Sequence, residues 1–575
     1  MLAVLAPPSS AATARRSLAP PEVHFIAPLD AALLVSARPR AHLDTVLKFR
    51  RECGSGREAP RDLRVLNKSP RAAHDGLTEP AENHPVKLIS TTRFVGKIPG
   101  SASARHRATV PAMNRLLVLA CAWLACTAHA APQNILLIIA DDYGADGSSL
   151  YNSTSAGASL PPTPNLAALA TNGVVFRHAY ANPVCSPTRA ALITGRHGFR
   201  TGIRDVILGP ASPMLTAAEF TLPEVFAANP SLNYQLAHFG KWHLHNQANS
   251  PTTIGGWPHF AGSLVGAVAN YTNWTKTTNG TSFTTTNYAT TDVVNDAVAW
   301  IQAQTNKPWF AWVAFNAPHT PLHKPPNALC PHYTGLSGTQ VNINNNPRPY
   351  YEAMVEAMDN ELGRLLASVN RSNTHIIFLG DNGTTGQVIQ PPYASGQAKN
   401  TIYEGGVKVP LIAAGPAVVN PGRTNDTLVH AVDVFATILE MAGITNLATL
   451  TTNAIDSQSF LPALTGISNL TRHVFVEKFG TNSPSADGRA LRNGQFKLLS
   501  FDAGGEECYD LLADPAEKTN LLSGALTATQ QANYYSLTMR LGSYQNTVAA
   551  PVITGFSRAG AQFNLTVQRA TNLTY

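Results

Sequence analysis

The sequence predicts an α/β sandwich, in which helices flank a central, mostly parallel sheet, followed by a smaller C-terminal domain with an antiparallel sheet. Asn134–Ala140 (NILLIIA) and His375–Gly380 (HIIFLG) are short, nearly continuous apolar runs, the pattern of strands buried on both faces. Segments of helical spacing alternate with them. Pro164–Gly173 (PNLAALATNG) is entered by Pro and closed by Gly, and Tyr351–Ser368 puts Met354, Met358, Leu362 and Leu365 on one face. Past about residue 465 the pattern changes to short segments with turn signals, and Asn493-Gly494 inside Leu491–Ser500 (LRNGQFKLLS) predicts a hairpin. The Asn/Thr-rich stretch from Asn270 to Thr291 reads as a surface excursion.

At 575 residues, 44% hydrophobic and 13% charged, the chain holds enough apolar material for several domains and is neither a disordered tail nor a disulfide-stapled module. Its formal charge of +7 suggests an anionic partner until it is divided by position. Residues 1–130 hold 18 of the 42 basic and nine of the 35 acidic side chains, so they carry +9 and residues 131–575 carry −2. A nucleic-acid partner thereby loses its support. Met113-Asn114-Arg115 leads into the apolar run Leu116–Cys126 and then Ala128-His129-Ala130, the layout of a secretory signal. The expected organisation is therefore a gene-model over-extension at 1–112, disordered, a signal peptide at 113–130, a main domain at 131–465 and the smaller domain at 466–575. The protein is expected to be exported: periplasmic or secreted, or lysosomal in a eukaryote. No later run reaches ~18 apolar residues, so an integral membrane protein is not expected. Only Cys185, Cys330 and Cys508 follow the leader, and a Cys330–Cys508 disulfide would leave Cys185 as the unpaired thiol.

Asp141-Asp142 directly follow one apolar strand and Asp381-Asn382 directly follow another, so four oxygen-bearing side chains are expected to meet at the carboxyl edge of the sheet. Three carboxylates and an amide favour Ca²⁺ or Mg²⁺ over Zn²⁺. In Cys185-Ser186-Pro187-Thr188-Arg189, Pro187 suits an early helical position and Gly195 the helix end. Cys185 then lies at a helix N-terminus, which favours an anion, and Arg189 one turn along adds a permanent charge. Lys241 and His243, one residue apart, would face one site in an extended segment while Trp242 packs behind them.

Cys185-Ser186-Pro187-Thr188-Arg189 followed by Ala190-Ala191-Leu192-Ile193-Thr194-Gly195-Arg196 resembles the signature of the sulfatase family. Other landmarks similar to that family follow in order: Gly240-Lys241-Trp242-His243-Leu244, Ala317-Pro318-His319-Thr320-Pro321, Asp381-Asn382-Gly383, and Lys399 before Glu404-Gly405-Gly406. So does Tyr509-Asp510-Leu511 near the end. The resemblance implies the alkaline-phosphatase-like form of the sandwich, with 131–465 as the catalytic domain. It implies that a formylglycine-generating or sulfatase-maturating enzyme converts Cys185 to formylglycine, and that Asp141, Asp142, Asp381 and Asn382, with residue 185, hold one Ca²⁺ or Mg²⁺. It also implies hydrolysis of a sulfate monoester, aryl or carbohydrate, through a formylglycine–sulfate intermediate. Arg189 and Lys241 would hold the anion, His319 and Lys399 would protonate the leaving alcohol, and His243 would take the proton that releases sulfate. The substrate would be a sulfated small molecule or glycan, and His319-Thr320-Pro321-Leu322 is more like the arylsulfatase B type. Selectivity is expected from loops around Gly255–Thr291 and Leu322–Pro349. The competing readings are a phosphonate monoester or phosphodiester hydrolase of the same superfamily, and a catalytically silent glycan-binding homologue.

Overall fold

The computed structural model describes residues 133–467, 472–480 and 487–545, and the backbone of an antiparallel hairpin formed by Val552–Ala559 and Gln562–Gln568. The expectations for residues 1–112 and 113–130 lie outside the described residues.

Ten strands form one sheet: β1 (Asn134–Ala140), β2 (Gly173–Phe176), β3 (Gln235–Gly240), β4 (Phe260–Gly262), β5 (Trp274–Thr278), β6 (Thr281–Thr285), β7 (Trp309–Ala314), β8 (Thr374–Gly380), β9 (Leu411–Ala414) and β10 (Arg423–Asn425). Their order is β10-β2-β9-β8-β1-β7-β3-β4-β5-β6. The central β8, β1, β7, β3 and β4 are parallel, whereas β9 runs against both its neighbours and β5 and β6 run antiparallel at the far edge.

The continuous apolar run of β1 has a direct cause in this layering. Ile135, Leu137 and Ile139 enter one core while Leu136, Ile138 and Ala140 enter the other, as the two-residue period of a strand requires. Helix α1 (Pro164–Thr171) covers the second face, α2 (Cys185–Thr194) the first, α3 (Ala289–Gln302) and α4 (Arg348–Ala367) the second, and α5 (Asp433–Met441) the first. Each such Leu or Ile, taken fully out of water, contributes roughly 1.5–3 kcal/mol of transfer free energy.

Two local expectations change. Gly173 does not close α1 but opens β2, where a Cβ would lie 2.5 Å from the Ala413 carbonyl oxygen of the neighbouring strand. The Asn270–Thr291 stretch is the β5–β6 hairpin that extends the sheet edge and leads into α3. Threonine is polar in composition yet β-branched in shape, so an exposed edge strand can be built from it.

The C-terminal sheet is the antiparallel meander β11 (Val474–Lys478), β12 (Gly488–Arg492), β13 (Phe496–Phe501) and β14 (Glu506–Asp510). The expected hairpin joins β12 to β13, and the Asn493 side chain closes it by accepting from the Gln495 and Phe496 amides at 2.9 and 2.7 Å. One face of the sheet packs on Leu537 and Leu541 of α6 (Ala528–Gln545), the other on Tyr180, Ile402 and Val407. Within this second interface the Lys497 ammonium lies 3.1 Å from Glu404 and 2.8 Å from Glu517, all three almost fully buried. Lys497→Met is expected to destabilise the fold by about 3–5 kcal/mol in urea unfolding, because it strands buried carboxylates without their cation.

Candidate active site

Four neighbouring parallel strands deliver their following residues to one edge of the sheet. The register pairs Ala140 with Gly380, so Asp141-Asp142 and Asp381-Asn382 leave β1 and β8 side by side. The Asp142 amide donates to Asp381 Oδ1 at 3.1 Å, and Asn382 Nδ2 donates to Asp142 Oδ1 at 2.7 Å. From β7, the Ala317 carbonyl accepts the Asp141 amide at 3.1 Å, and from β3 the Lys241 amide donates to Ala314 O at 2.9 Å. Asp142 has a positive φ of 64°, and its carbonyl accepts the Tyr351 hydroxyl at 3.0 Å. Tyr351 was not among the expected site residues; its only signal is a phenol on the otherwise apolar face of α4.

Cys185 opens α2 and is 1% exposed, with Sγ 3.4 Å from Asp141 Oδ1 and 3.4 Å from Lys399 Nζ. Burial, reinforced by Asp141, pushes the thiol up to about 12 against the pull of Lys241 and Lys399. Loss of hydration thus opposes the charge that a helix N-terminus and the neighbouring lysines favour. The two permanent cations are turned toward acids. Arg189 donates to Asp381 Oδ2 at 2.8 Å and to Lys241 O at 2.7 Å, and the Lys241 ammonium pairs with Asp141 Oδ2.

The titratable groups around Cys185 have separate environments. Lys399 Nζ lies 2.5 Å from Asp142 Oδ1; although burial disfavours its charge, Asp142 holds its pKa above the ordinary value. His319 is fixed by the Tyr271 hydroxyl, 2.7 Å from the carbonyls of both Asn316 and His319. Its Nδ1 lies 2.7 Å from Thr320 O, which assigns the proton of the neutral ring to Nδ1 and leaves Nε2, 3.8 Å from Asp142 Oδ2, to gain or lose the second one. Burial pushes this ring down to about 4, opposed by Asp142.

His243 departs from the extended conformation expected for Lys241–His243, with φ 54°. Its amide donates to Leu264 O at 3.1 Å and its Nε2 to Ile207 O at 3.0 Å, leaving Nδ1 with a lone pair and no hydrogen-bond partner. Burial, then Lys241 and Arg189, hold the ring well below the usual histidine range. Trp242 packs behind as expected, edge-on to His238 at 5.6 Å. Cys185, His243, His319 and Lys399 line one cavity of about 310 Å³, while Arg189 and Lys241 stand behind it on the carboxylates. Residues 206–209, 245–246 and 264–267 form its walls, and the expected loop 322–349 supplies no lining residue among those described. Cys330 and Cys508 are free buried thiols, so the suggested disulfide is absent.

The sulfatase family profile matches residues 133–444, more than half of the chain. The chain belongs to the sulfatase family. A second profile, for the N-sulphoglucosamine sulphohydrolase C-terminal region, matches residues 397–543. The sulfatase is 30% identical to arylsulfatase A of Bos taurus over 70% of its own length and 82% of that protein. It is 28% identical to N-acetylgalactosamine-6-sulfatase of Canis lupus familiaris over 64% of its length and 72% of that chain. Its 29% match to arylsulfatase J of Mus musculus covers 55% of this chain and about half, 53%, of that protein. Among solved structures, Ps i-CgsB in complex with k-i-k-neocarrahexaose superposes with a TM-score of 0.62 at 23% identity, over 72% of this chain and 93% of that one. That likeness supports the alkaline-phosphatase-like fold of the sulfatase.

The family implies a metal ion, and the residues present fit one. Ligand atoms of Asp141, Asp142, Cys185 and His319 all lie within 4.8 Å of one another, and Asn382 Oδ1 is buried without a hydrogen-bond partner. Burial, with Asp141 beside it, pushes the Asp381 carboxyl up to about 6, a sign of crowded negative charge that a divalent cation would relieve. Of the expected metal residues, Asp141, Asp142 and Cys185 stand in that cluster and Asn382 adjoins it through Asp142. Both Asp381 oxygens are occupied, one by the Asp142 amide and the other by Arg189.

Proposed function

We propose that this sulfatase hydrolyses a sulfate monoester, aryl or carbohydrate, by a covalent route through position 185, with Cys185 converted to formylglycine by a maturating enzyme. The observation that carries the reading is a buried cysteine on the floor of the cavity, its Sγ 3.4 Å from both Asp141 and Lys399 and sharing the space with His243 and His319, where burial pushes its thiol up. Such a thiol is a poor nucleophile, so its place beside the acid–base groups calls for another species. The modification would supply a geminal diol: one hydroxyl to displace the alcohol from sulfur, and a second whose deprotonation re-forms the aldehyde and frees sulfate. Asp141, Asp142, Asp381 and Asn382, with residue 185, would hold one Ca²⁺ or Mg²⁺, which would polarise the ester oxygens. Residues 131–465 would be the catalytic domain and 466–575 the smaller one, in an exported protein.

The remaining steps belong to side chains. Lys399, charged and 3.4 Å from the residue 185 sulfur, binds the anion and steadies the developing alkoxide. His319 gives its proton from Nε2 to the leaving alcohol, and His243 accepts the diol proton at Nδ1, the ring atom left with a lone pair. Arg189 and Lys241 keep the carboxylates in place behind the anion.

The test is sulfate release measured together with the mass of the peptide containing residue 185. Matched sulfate and phosphate esters separate this reading from a phosphodiester or phosphonate hydrolase. A pH profile adds a second check. The acid form of His319 is the active one and burial holds its pKa down to about 4, so kcat/KM is expected to fall as pH rises above that value. The corresponding limb in kcat lies at higher pH, because a bound sulfate ester favours the imidazolium. His319→Gln should remove the limb from both profiles.

A further inference from the structure

The sulfatase reading fixes the reacting group and leaves aryl, alkyl and sugar leaving groups equally open; the walls of the cavity discriminate between them. Val206, Ile207 and Leu208 form one wall and Leu264 and Val265 the other, with Gly209, Gly266 and Ala267 completing the lining. Beyond Cys185, His243, His319 and Lys399, only His245 and Asn246 offer side-chain hydrogen bonds, and no Asp, Glu or Arg lines the cavity among the described residues. A sugar ring entering this space would surrender the hydration of its hydroxyls with few partners in exchange. An apolar skeleton would instead be driven in by its own burial. Leu208 and Val265 are 71% and 55% exposed, so they retain apolar surface that a ligand can cover.

Both walls are held in register with the chemistry. Ile207 O accepts the His243 ring proton and Leu264 O its amide proton, while the Ile207 amide donates at 3.1 Å to Ser186, the residue after Cys185. Gly266 packs directly on the imidazole, and a Cβ there would lie 2.5 Å from Cε1. The seat is thus built around the candidate base rather than on an independent loop.

We propose that this cavity seats the apolar skeleton of an alkyl or aryl sulfate in preference to a sugar ring, with Leu208 and Val265 determining that specificity. The inference rests on the sulfatase reading. Hexyl sulfate and galactose 6-sulfate both release a primary alcohol, so their intrinsic reactivity is matched and the comparison reports the skeleton. With formylglycine-bearing, cation-loaded enzyme, kcat/KM for hexyl sulfate is expected to exceed that for galactose 6-sulfate by about tenfold or more. Leu208→Ser and Val265→Ser, both at exposed positions, should each raise KM for hexyl sulfate about fivefold and so narrow the ratio of kcat/KM between hexyl sulfate and galactose 6-sulfate. A preference for galactose 6-sulfate, or a ratio that neither variant moves, overturns the inference and leaves the sulfatase reading standing. Release of sulfate from neither ester, nor from 4-nitrophenyl sulfate, overturns that reading and the inference with it.

Discussion

Protein carrying an unmodified thiol at position 185 is expected to fold like the modified enzyme and to release sulfate at least about a thousandfold more slowly in kcat. Cys185→Ala should behave in the same way. The magnitude follows from the chemistry demanded of this residue. Burial and Asp141 push the thiol up, and a thiol lacks the second hydroxyl whose deprotonation would free the bound sulfate. Alanine supplies no nucleophile at all, while the cavity, its cations and the acid–base pair remain. Matched melting temperatures for the three preparations would locate the loss in the chemistry rather than the fold. Full activity from protein whose residue 185 peptide has the mass of cysteine would end the proposed mechanism.

The second large effect is expected on removing divalent cations. Chelation should abolish turnover and lower the melting temperature, and Ca²⁺ or Mg²⁺ should restore both. Asp141, Asp142 and Asp381 are all essentially inaccessible to water, and their mutual repulsion is met in part by Lys241, Lys399 and Arg189. A cation present at a hundred times its dissociation constant stabilises by about 2.7 kcal/mol. For a domain of about 335 residues that corresponds to a rise of about 4 °C, at roughly 1.4 °C per kcal/mol. Asn382→Ala should weaken the cation-dependent rise in melting temperature and also lower the cation-free value, because it removes the buried Oδ1 that has no protein partner together with the Nδ2 donation to Asp142. A melting temperature indifferent to every divalent cation would count against a metal at this edge.

The strands were readable because a sheet covered by helices on both faces must be apolar at consecutive positions, as Ile135 to Ala140 are. The β5–β6 edge was not, since β6 is exposed on both faces and its threonines carry no continuous apolar signal. The acids after β1 and β8 were visible as strand-end pairs, yet only the Ala140–Gly380 register sets them side by side. One-residue spacing suggested an extended Lys241–His243 segment, but the left-handed turn at His243 points its ring at Ile207 O. The cavity walls at 206–209 and 245–246 carried no motif at all.

The order of residues along the chain was sufficient to determine the family and the layering of the sandwich, because each of these depends on short-range pattern. The tertiary structure alone decided that Cys185 is buried between Asp141 and Lys399, that Arg189 and Lys241 face carboxylates, and that the cavity walls are apolar. Those properties arise from contacts such as Cys185 with Asp141 and Lys399 with Asp142, 44 and 257 positions apart, and from the water that folding removes around them. Neither the distance between such groups nor their hydration is encoded in any local stretch of sequence.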